Sequence, residues 1–302
     1  MIPTREQELA VLRSVVYASL FDYPLEPAQL ESSLIGVAAD QAAIDRWWRE
    51  SDLLRATIEY RDGLYFPAGR SDLVHIRSRR EALSRELLDR DRRILSFVAN
   101  IPFVRMVALS GSLAHLNAEG FADLDLFVIT TPNRVWSVTV ATVVLSKLLG
   151  WRKRLCMNYV ISERAMSIEP RDLFSANQII HLRPIVGSEA FTRFLEANPF
   201  VKSFYPNFAS PKPASPQARK PAVERVLSLG IAQLAESLAR WSYGWHLRRR
   251  ASTWDSRDQV RLEPECLKLH TSSHRASTLA KFDAAMADIL GREPVTAAVA
   301  RR

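Results

Sequence analysis

Apolar residues recur along this chain in two rhythms, one helical and one alternating, and the changes between them mark its elements. Residues 5–20 ("REQELAVLRSVVYASL") hold apolar side chains at helical spacing until Pro24 in "FDYPL" breaks the run. "EPAQLESSLIG" predicts a short second helix ending near Gly36, and "DQAAIDRWWRESDLL" a third, opened by Asp40 as N-cap. In "LLRATIEYRDGLYFPAGR" the rhythm becomes alternation about Asp62-Gly63, a dipeptide suited to a tight hairpin turn. Residues 71–99 return to a charged amphipathic helix with Arg77, Arg79 and Arg80 near its start, and most of its charges are expected to face water. Strands are predicted over 103–109, 124–130 and 154–161, with a helix over 133–149 and helical stretches around 170–181 and 188–197. Five prolines between 206 and 221 mark an extended linker. A long amphipathic helix follows, and a last helix over 272–290 has Ser or Thr available as its cap.

Three short helices and then a hairpin is the order of a winged helix. The predicted class is therefore α+β, with five regions. Residues 1–70 form a winged-helix-like module, 71–100 a linking helix and 101–207 a mixed sheet flanked by helices. Residues 208–223 are the Pro-rich linker and 224–302 a C-terminal helical region.

Composition changes this picture little. With 302 residues, 47% hydrophobic and 25% charged, the chain can build packed cores and is long enough for two or three domains. No run of about 18 apolar residues predicts a membrane-crossing helix. The N-terminus has early acids and no small-residue cleavage site. Cys156 and Cys266 lie far apart in sequence and make neither a disulfide framework nor a metal motif, so a cytoplasmic setting is expected.

Charge changes it more. The net charge of +8 points toward nucleic acid until it is located. Residues 1–70 carry 7 Lys/Arg against 11 Asp/Glu, whereas residues 211–302 carry 16 against 9. On the third helix Asp40, Asp45 and Glu50 stand among Arg46 and Arg49, and Trp47-Trp48 suit packing. DNA binding by this acidic module is not expected, because phosphate neutralisation supplies most non-specific affinity. Docking or substrate presentation is the expected role. Further on, Trp241, Tyr243 and Trp245 precede Arg248-Arg249-Arg250, which suits a membrane-surface or partner-binding face. A core-packing helix with a basic, dipole-favoured end is the expected reading.

The candidate chemistry sits in "ALSGSLAHLNAEGFADLDLFVIT", residues 108–130. Asp123 and Asp125 open an otherwise apolar strand, where an unpaired buried carboxylate is costly. At i and i+2 their side chains leave one face of the strand. Two carboxylates aimed at one place can hold a hard cation such as Mg²⁺ or Mn²⁺. Gly111-Ser112 follows the preceding strand. Glycine lets a phosphate approach the backbone, and a serine hydroxyl with N–H groups at a helix start binds phosphate oxygens. A carboxylate pair facing such a turn is equipment for metal-assisted phosphoryl chemistry. The plain alternative, a surface turn closed by Asp123, accounts for Asp123 but not for Asp125.

Gly111-Ser112, ten intervening residues and then "DLDLFVI" resemble the signature of the DNA polymerase β-like nucleotidyltransferase superfamily, over roughly residues 84–200. The whole chain also resembles bacterial proteins that join a winged helix to such a domain. The resemblance implies that residues 101–207 are a nucleotidyltransferase domain. Its activity would be transfer of a nucleoside monophosphate from a nucleotide triphosphate to a hydroxyl or amine, releasing pyrophosphate. Asp123 and Asp125 would hold the metal ions and Gly111 and Ser112 the triphosphate. The acceptor stays open between a small molecule, a protein and RNA. Arg134 and the run Arg152-Lys153-Arg154 are candidates to neutralise phosphate, against ordinary surface roles. His115 and Asn117 either line the pocket or turn the chain, the turn being expected. His270 and His274 have metal-like spacing without a third ligand, and decoration of a helix start is expected.

Family enzymes usually carry a third carboxylate on the strand after the intervening helix. Here that strand, "RLCMNYVIS", has no acid. Alternation places Cys156, Asn158, Val160 and Ser162 on one face, so Asn158 takes the third position. Its carbonyl oxygen can coordinate a metal but cannot accept a proton as a base. Glu163 follows with the wrong parity. Three readings compete: a metal-dependent nucleotidyltransferase, a nucleotide-binding or regulatory protein that keeps the fold without turnover, and a winged-helix transcription regulator.

Overall fold

In a computed structural model the chain is described for residues 2–209, 221–228, 231–270 and 273–291. Thr4 opens α1 (Arg5–Ser19): its hydroxyl accepts from Gln7 N while the Gln7 side chain accepts from Thr4 N. Pro27 stands at the first position of α2 (Pro27–Ser32). The Asp40 carboxylate accepts from Ala43 N at 2.8 Å and starts α3 (Gln41–Glu50). The third predicted helix stops short of its periodicity at Ser51. That side chain accepts from Leu54 N to cap α4 (Asp52–Thr57) and donates to Glu8 Oε1 at 2.6 Å. β1 (Ile58–Arg61) and β2 (Leu64–Pro67) then pair antiparallel, with Asp62 and Gly63 at φ 52° and 79° as a two-residue turn of this hand requires. Trp47 is buried, and Trp48 donates its indole N–H to Ile58 O, so both serve packing.

The predicted linking helix is two helices, α5 (Asp72–Arg90) and α6 (Arg92–Ala99). The break is Asp91, fully buried and held by Arg90 at 2.5 Å and Arg154 at 2.6 Å. Two of the arginines expected in water are also buried. Arg77 donates to Pro24 O, Gln29 and Glu26 and lies over the Tyr23 ring. Arg80 joins Asp22 of the N-terminal module to Glu119. Together they fasten the module to the rest of the chain.

β3 (Val104–Leu109), the short α7 (Gly111–Ala114), β4 (Leu124–Thr130), α8 (Val135–Leu148) and β5 (Leu155–Ser162) follow where the pattern places them. After α9 (Leu173–Ile180) the chain adds β6 (Arg183–Val186), α10 (Ser188–Glu196) and α11 (Phe200–Phe204). The predicted linker falls mostly on residues 210–220, outside the described residues, and its end is already the first turn of α12 (Pro221–Leu227). α13 (Ile231–Arg249) follows. The C-terminal region is not purely helical: β7 (Val260–Glu263) and β8 (Cys266–Leu269) join the main sheet before α14 (Arg275–Leu290), which has His274 rather than Ser or Thr at its N-cap. The mixed sheet runs β6-β3-β4-β5-β8-β7, with β4 and β5 parallel and the other pairs antiparallel.

Each face of the sheet has its own core. Phe127 and Ile129 of β4 pack with Val15 and Tyr17 of α1, Phe194 and Phe282, so the N-terminal module shares a core with one face. Leu126, Val128 and Val160 pack with Trp136 and Leu267 on the other. There α13 lies along α8. The Glu236 carboxylate accepts from Trp136 N and Ser137 N at 2.9 and 2.7 Å, and Gly244 sits against the Trp136 ring. The core-packing expectation fails for the two tryptophans of α13. Trp241 and Trp245 are 69% and 50% exposed and stand outward with Leu234 and Leu238. The helix packs instead through Glu236, Ala239 and Gly244, with Tyr243 and Leu247 partly buried on the same core, so the expectation holds for Tyr243.

Candidate functional site

The site forms where β3 ends and β4 begins. Ser110 donates through both its N–H and its hydroxyl to Asp125 O, at 2.9 and 3.2 Å, and closes this end of the strand pair. Gly111 then takes φ 64° to start α7. A Cβ on Gly111 would lie 2.5 Å from Asp125 Oδ2, so only glycine fits where the turn crosses the carboxylate. Ser112 is exposed at the same edge. Asp125, the second carboxylate of the pair, is thus in direct contact with the turn, although ten residues separate Gly111-Ser112 from Asp123 in sequence.

Carboxylate oxygens of Asp123 and Asp125 and the Cys156 sulfur lie within 4.8 Å of one another. Burial, and then the neighbouring Asp123 charge, push the Asp125 carboxyl up to about 7. A cation placed there would relieve both effects. Cys156 offers soft sulfur, a poor ligand for a hard ion, and burial, with the two carboxylates, pushes its thiol up to about 12. Two carboxylates and no thiolate fit Mg²⁺ or Mn²⁺, with the remaining positions left to phosphate oxygens and water.

β5 carries one residue more than its partner here. Asp125 pairs with Cys156 but Phe127 pairs with Tyr159, so a bulge falls at Met157-Asn158. The predicted alternation breaks there. Asn158 faces Asp125 as expected, but Val160 joins the opposite core while Tyr159 and Ile161 take the site face. The Asn158 amide nitrogen donates to Asp125 Oδ1 at 2.6 Å, and its oxygen accepts from Cys156 Sγ at 2.7 Å. Asn158 thus meets the carboxylate through its N–H, not through the carbonyl oxygen that metal coordination would use. Glu163 lies at the far end of β5, ion-paired with Arg193, and takes no part in the site.

The basic candidates separate. Arg152 is near enough to Cys156 to oppose the rise of its thiol. Arg154 is committed to Asp91, and Arg134 stacks on Phe103 beyond the opposite end of β4. Lys153 is exposed.

A cavity of about 570 Å³ opens from this corner. Asp125, Asn158, Gly111 and Ser112 line one end, and α1, α9 and the end of β8 supply the rest. His115 and Asn117 are both wall residues, which corrects the turn role expected of them: His115 stacks on His181 at 4.1 Å, and the Asn117 side chain donates to Phe21 O of the N-terminal module. Burial holds both imidazoles neutral, His181 at about 4 and His115 well below its ordinary value. His270 and His274 also line the cavity rather than only decorating a helix start. Among the described residues they belong to no group with metal-ligand geometry. Lys268, on β8, lies over the Tyr159 ring and donates to Gln259, with its ammonium pK lowered by burial. Tyr17, His181 and Lys268 carried no signal in the sequence, because they come from elements distant from the Asp-x-Asp strand.

No family model, curated protein or solved structure matches this chain.

Proposed function

We propose that the protein is a metal-dependent nucleotidyltransferase. The observation that carries this reading is the contact of Gly111 with Asp125, which sets a glycine-serine turn beside two convergent carboxylates with the donor set of a hard cation. In the reaction, an acceptor oxygen or nitrogen bonds to the α-phosphorus of the nucleotide. The bond from that phosphorus to the bridging oxygen breaks, pyrophosphate leaves with the electron pair, and the acceptor proton passes to water. Asp123 and Asp125 would hold the metal, and Gly111 and Ser112 would contact the triphosphate. Incubation of the purified chain with labelled nucleotide triphosphates, Mn²⁺ or Mg²⁺ and cell extract tests the reading. Metal-dependent labelling of an acceptor with pyrophosphate release supports it, and nucleotide hydrolysis or inertness counts against it.

One observation favours a second reading, nucleotide and metal binding with little or no turnover. The position of the third carboxylate holds Asn158, whose amide is spent on Asp125 and Cys156. A positioned general base contributes about 10²–10⁴-fold in rate. Under this reading labelled nucleotide binds in a metal-dependent way but is not transferred, and Asn158→Asp raises transfer.

A further inference from the structure

The part of the cavity beyond the carboxylates has a chemistry of its own. Among the described residues, Asp125 and Lys268 are the only Asp, Glu, Lys or Arg side chains that line it. Its three half-buried histidines, His115, His181 and His270, are held neutral by desolvation. Tyr17, Phe21, Phe127, Phe174 and Tyr205 give it flat apolar walls. Away from the carboxylate end such a chamber is unsuited to a polyanion, because phosphate recognition needs cations or convergent N–H groups. Its volume is that of a small-molecule site. Its walls come from α1, the α9 region and the β8–α14 region, so a folded protein domain or an RNA duplex has no way to enter whole.

One polar group in the wall lacks a partner. Tyr17 is 2% exposed and packs on Phe282 at 5.3 Å, and its hydroxyl makes no hydrogen bond and is covered by its neighbours, so a ligand reaches it only where the wall side chains shift. A buried hydroxyl without a partner is costly and calls for an explanation. Nearby, the Tyr205 hydroxyl accepts from Asn177 Nδ2 at 3.0 Å, so the equivalent group on the next aromatic wall is satisfied.

We infer that the cavity binds a small molecule with a flat, largely apolar and uncharged body, one polar group of which pairs with the Tyr17 hydroxyl, while a hydroxyl or amine at its other end reaches the Asp123–Asp125 corner. The inference rests on the nucleotidyl-transfer reading in one respect only: under that reading this molecule is the acceptor. The N-terminal module then works as the wall that selects the acceptor.

The test uses the full chain and a deproteinised cell extract passed through a small-pore filter. Thermal unfolding is followed with the filtrate and, separately, with the retained macromolecules. The expected result is stabilisation by the filtrate. In Tyr17→Phe the half-saturating amount should rise about fivefold, the loss of one hydrogen bond. The free variant should unfold no earlier than wild type, since the hydroxyl it loses has no partner. In a parallel arm, filtrate, labelled nucleotides and Mn²⁺ are incubated with the enzyme and the label is sought in products that pass the filter. Stabilisation without labelling upholds the binding inference and removes the transfer reading. Stabilisation by the macromolecular fraction alone, label retained on macromolecules, a filtrate with no effect, or Tyr17→Phe binding as well as wild type would each overturn it.

Discussion

At the scale of single residues, the site depends on Gly111 and Asp125 occupying almost the same space. Gly111→Ala places a methyl group 2.5 Å from Asp125 Oδ2 and asks an L-residue to hold φ 64°. The expected cost is about 1–3 kcal/mol, together with a displaced carboxylate. Chemical denaturation reads the first and metal-dependent nucleotide binding the second. An unaffected binding isotherm would show that the turn does not position the acid. Asp125→Asn separates stability from binding. Removing a charge buried beside Asp123 should leave the midpoint of unfolding unchanged or raised at pH 8, where wild-type Asp125 is ionised against its environment. Metal-dependent nucleotide binding, read by calorimetry, should be lost. A variant that binds as wild type does removes Asp125 from the metal. These residues were legible because the spacing of Gly111-Ser112 and Asp123 is local and the Asp-x-Asp pair breaks an apolar run. Asn158 was legible by position alone. Tyr17, His181 and Lys268 were not, since no short-range pattern tells a tyrosine on a helix that it will line the same cavity as a carboxylate more than a hundred residues away.

At the scale of elements, the strand periods read well where strands are long and poorly where they are short. β3, β4 and β5 have six to eight residues, enough for alternation to show. β6, β7 and β8 have four each, too few to distinguish from a loop, and so the sheet was expected to be smaller than it is. The bulge in β5 was equally invisible, because an extra residue alters the pairing and not the composition. Helix α13 gave a mixed outcome: Tyr243 packs on the core as expected, but Trp241 and Trp245 looked like core and stand outward, and the packed side is made by Glu236, Ala239 and Gly244 as well as Tyr243. A pair of substitutions checks that assignment. Trp241→Ala, on the outward stripe, should change stability by no more than about 0.5 kcal/mol. Glu236→Ala leaves Trp136 N and Ser137 N without their acceptor at the start of α8 and should cost about 1–3 kcal/mol. Urea denaturation of the two variants decides it, and the reverse ranking would mean that α13 docks through its tryptophans.

At the scale of the whole molecule, the winged-helix-like order of elements belongs to a module whose own surface chemistry points inward. α1 shares a core with the sheet, Arg77 and Arg80 are buried at the junction, and α3 spends Asp45 on Arg49 at 2.8 Å. Charge reversal of Arg46 and Arg49 should therefore leave any duplex DNA affinity of the full chain unchanged, as measured by fluorescence anisotropy over a salt series. A marked loss would restore the third helix as a DNA reader. The same junction gives the protein a particular response to acid. His181 and His270 are half-buried and neutral, each pushed down to about 4 by desolvation, and His115 lies well below its ordinary value. In the unfolded chain each imidazole titrates near 6.5. A base with a lowered folded pK contributes stability that is present above the unfolded value and is lost as pH falls toward the folded one. The imidazole contribution should thus be fully present above about pH 7 and fall steadily from about pH 6.5 to pH 4, set against Asp125, whose raised carboxyl loses stability in the opposite direction as pH rises over the same window. Each of His181 and His270 contributes on the order of 3 kcal/mol to that loss. His181→Gln, which keeps a polar side chain beside Asn177 O but cannot take up a proton, should flatten the decline over this window, whatever it does to stability at pH 8. Denaturant midpoints measured at half-unit steps would show it. An acid limb as steep in the variant as in wild type would mean that His181 is not held neutral where α9, the N-terminal module and the carboxylate turn meet.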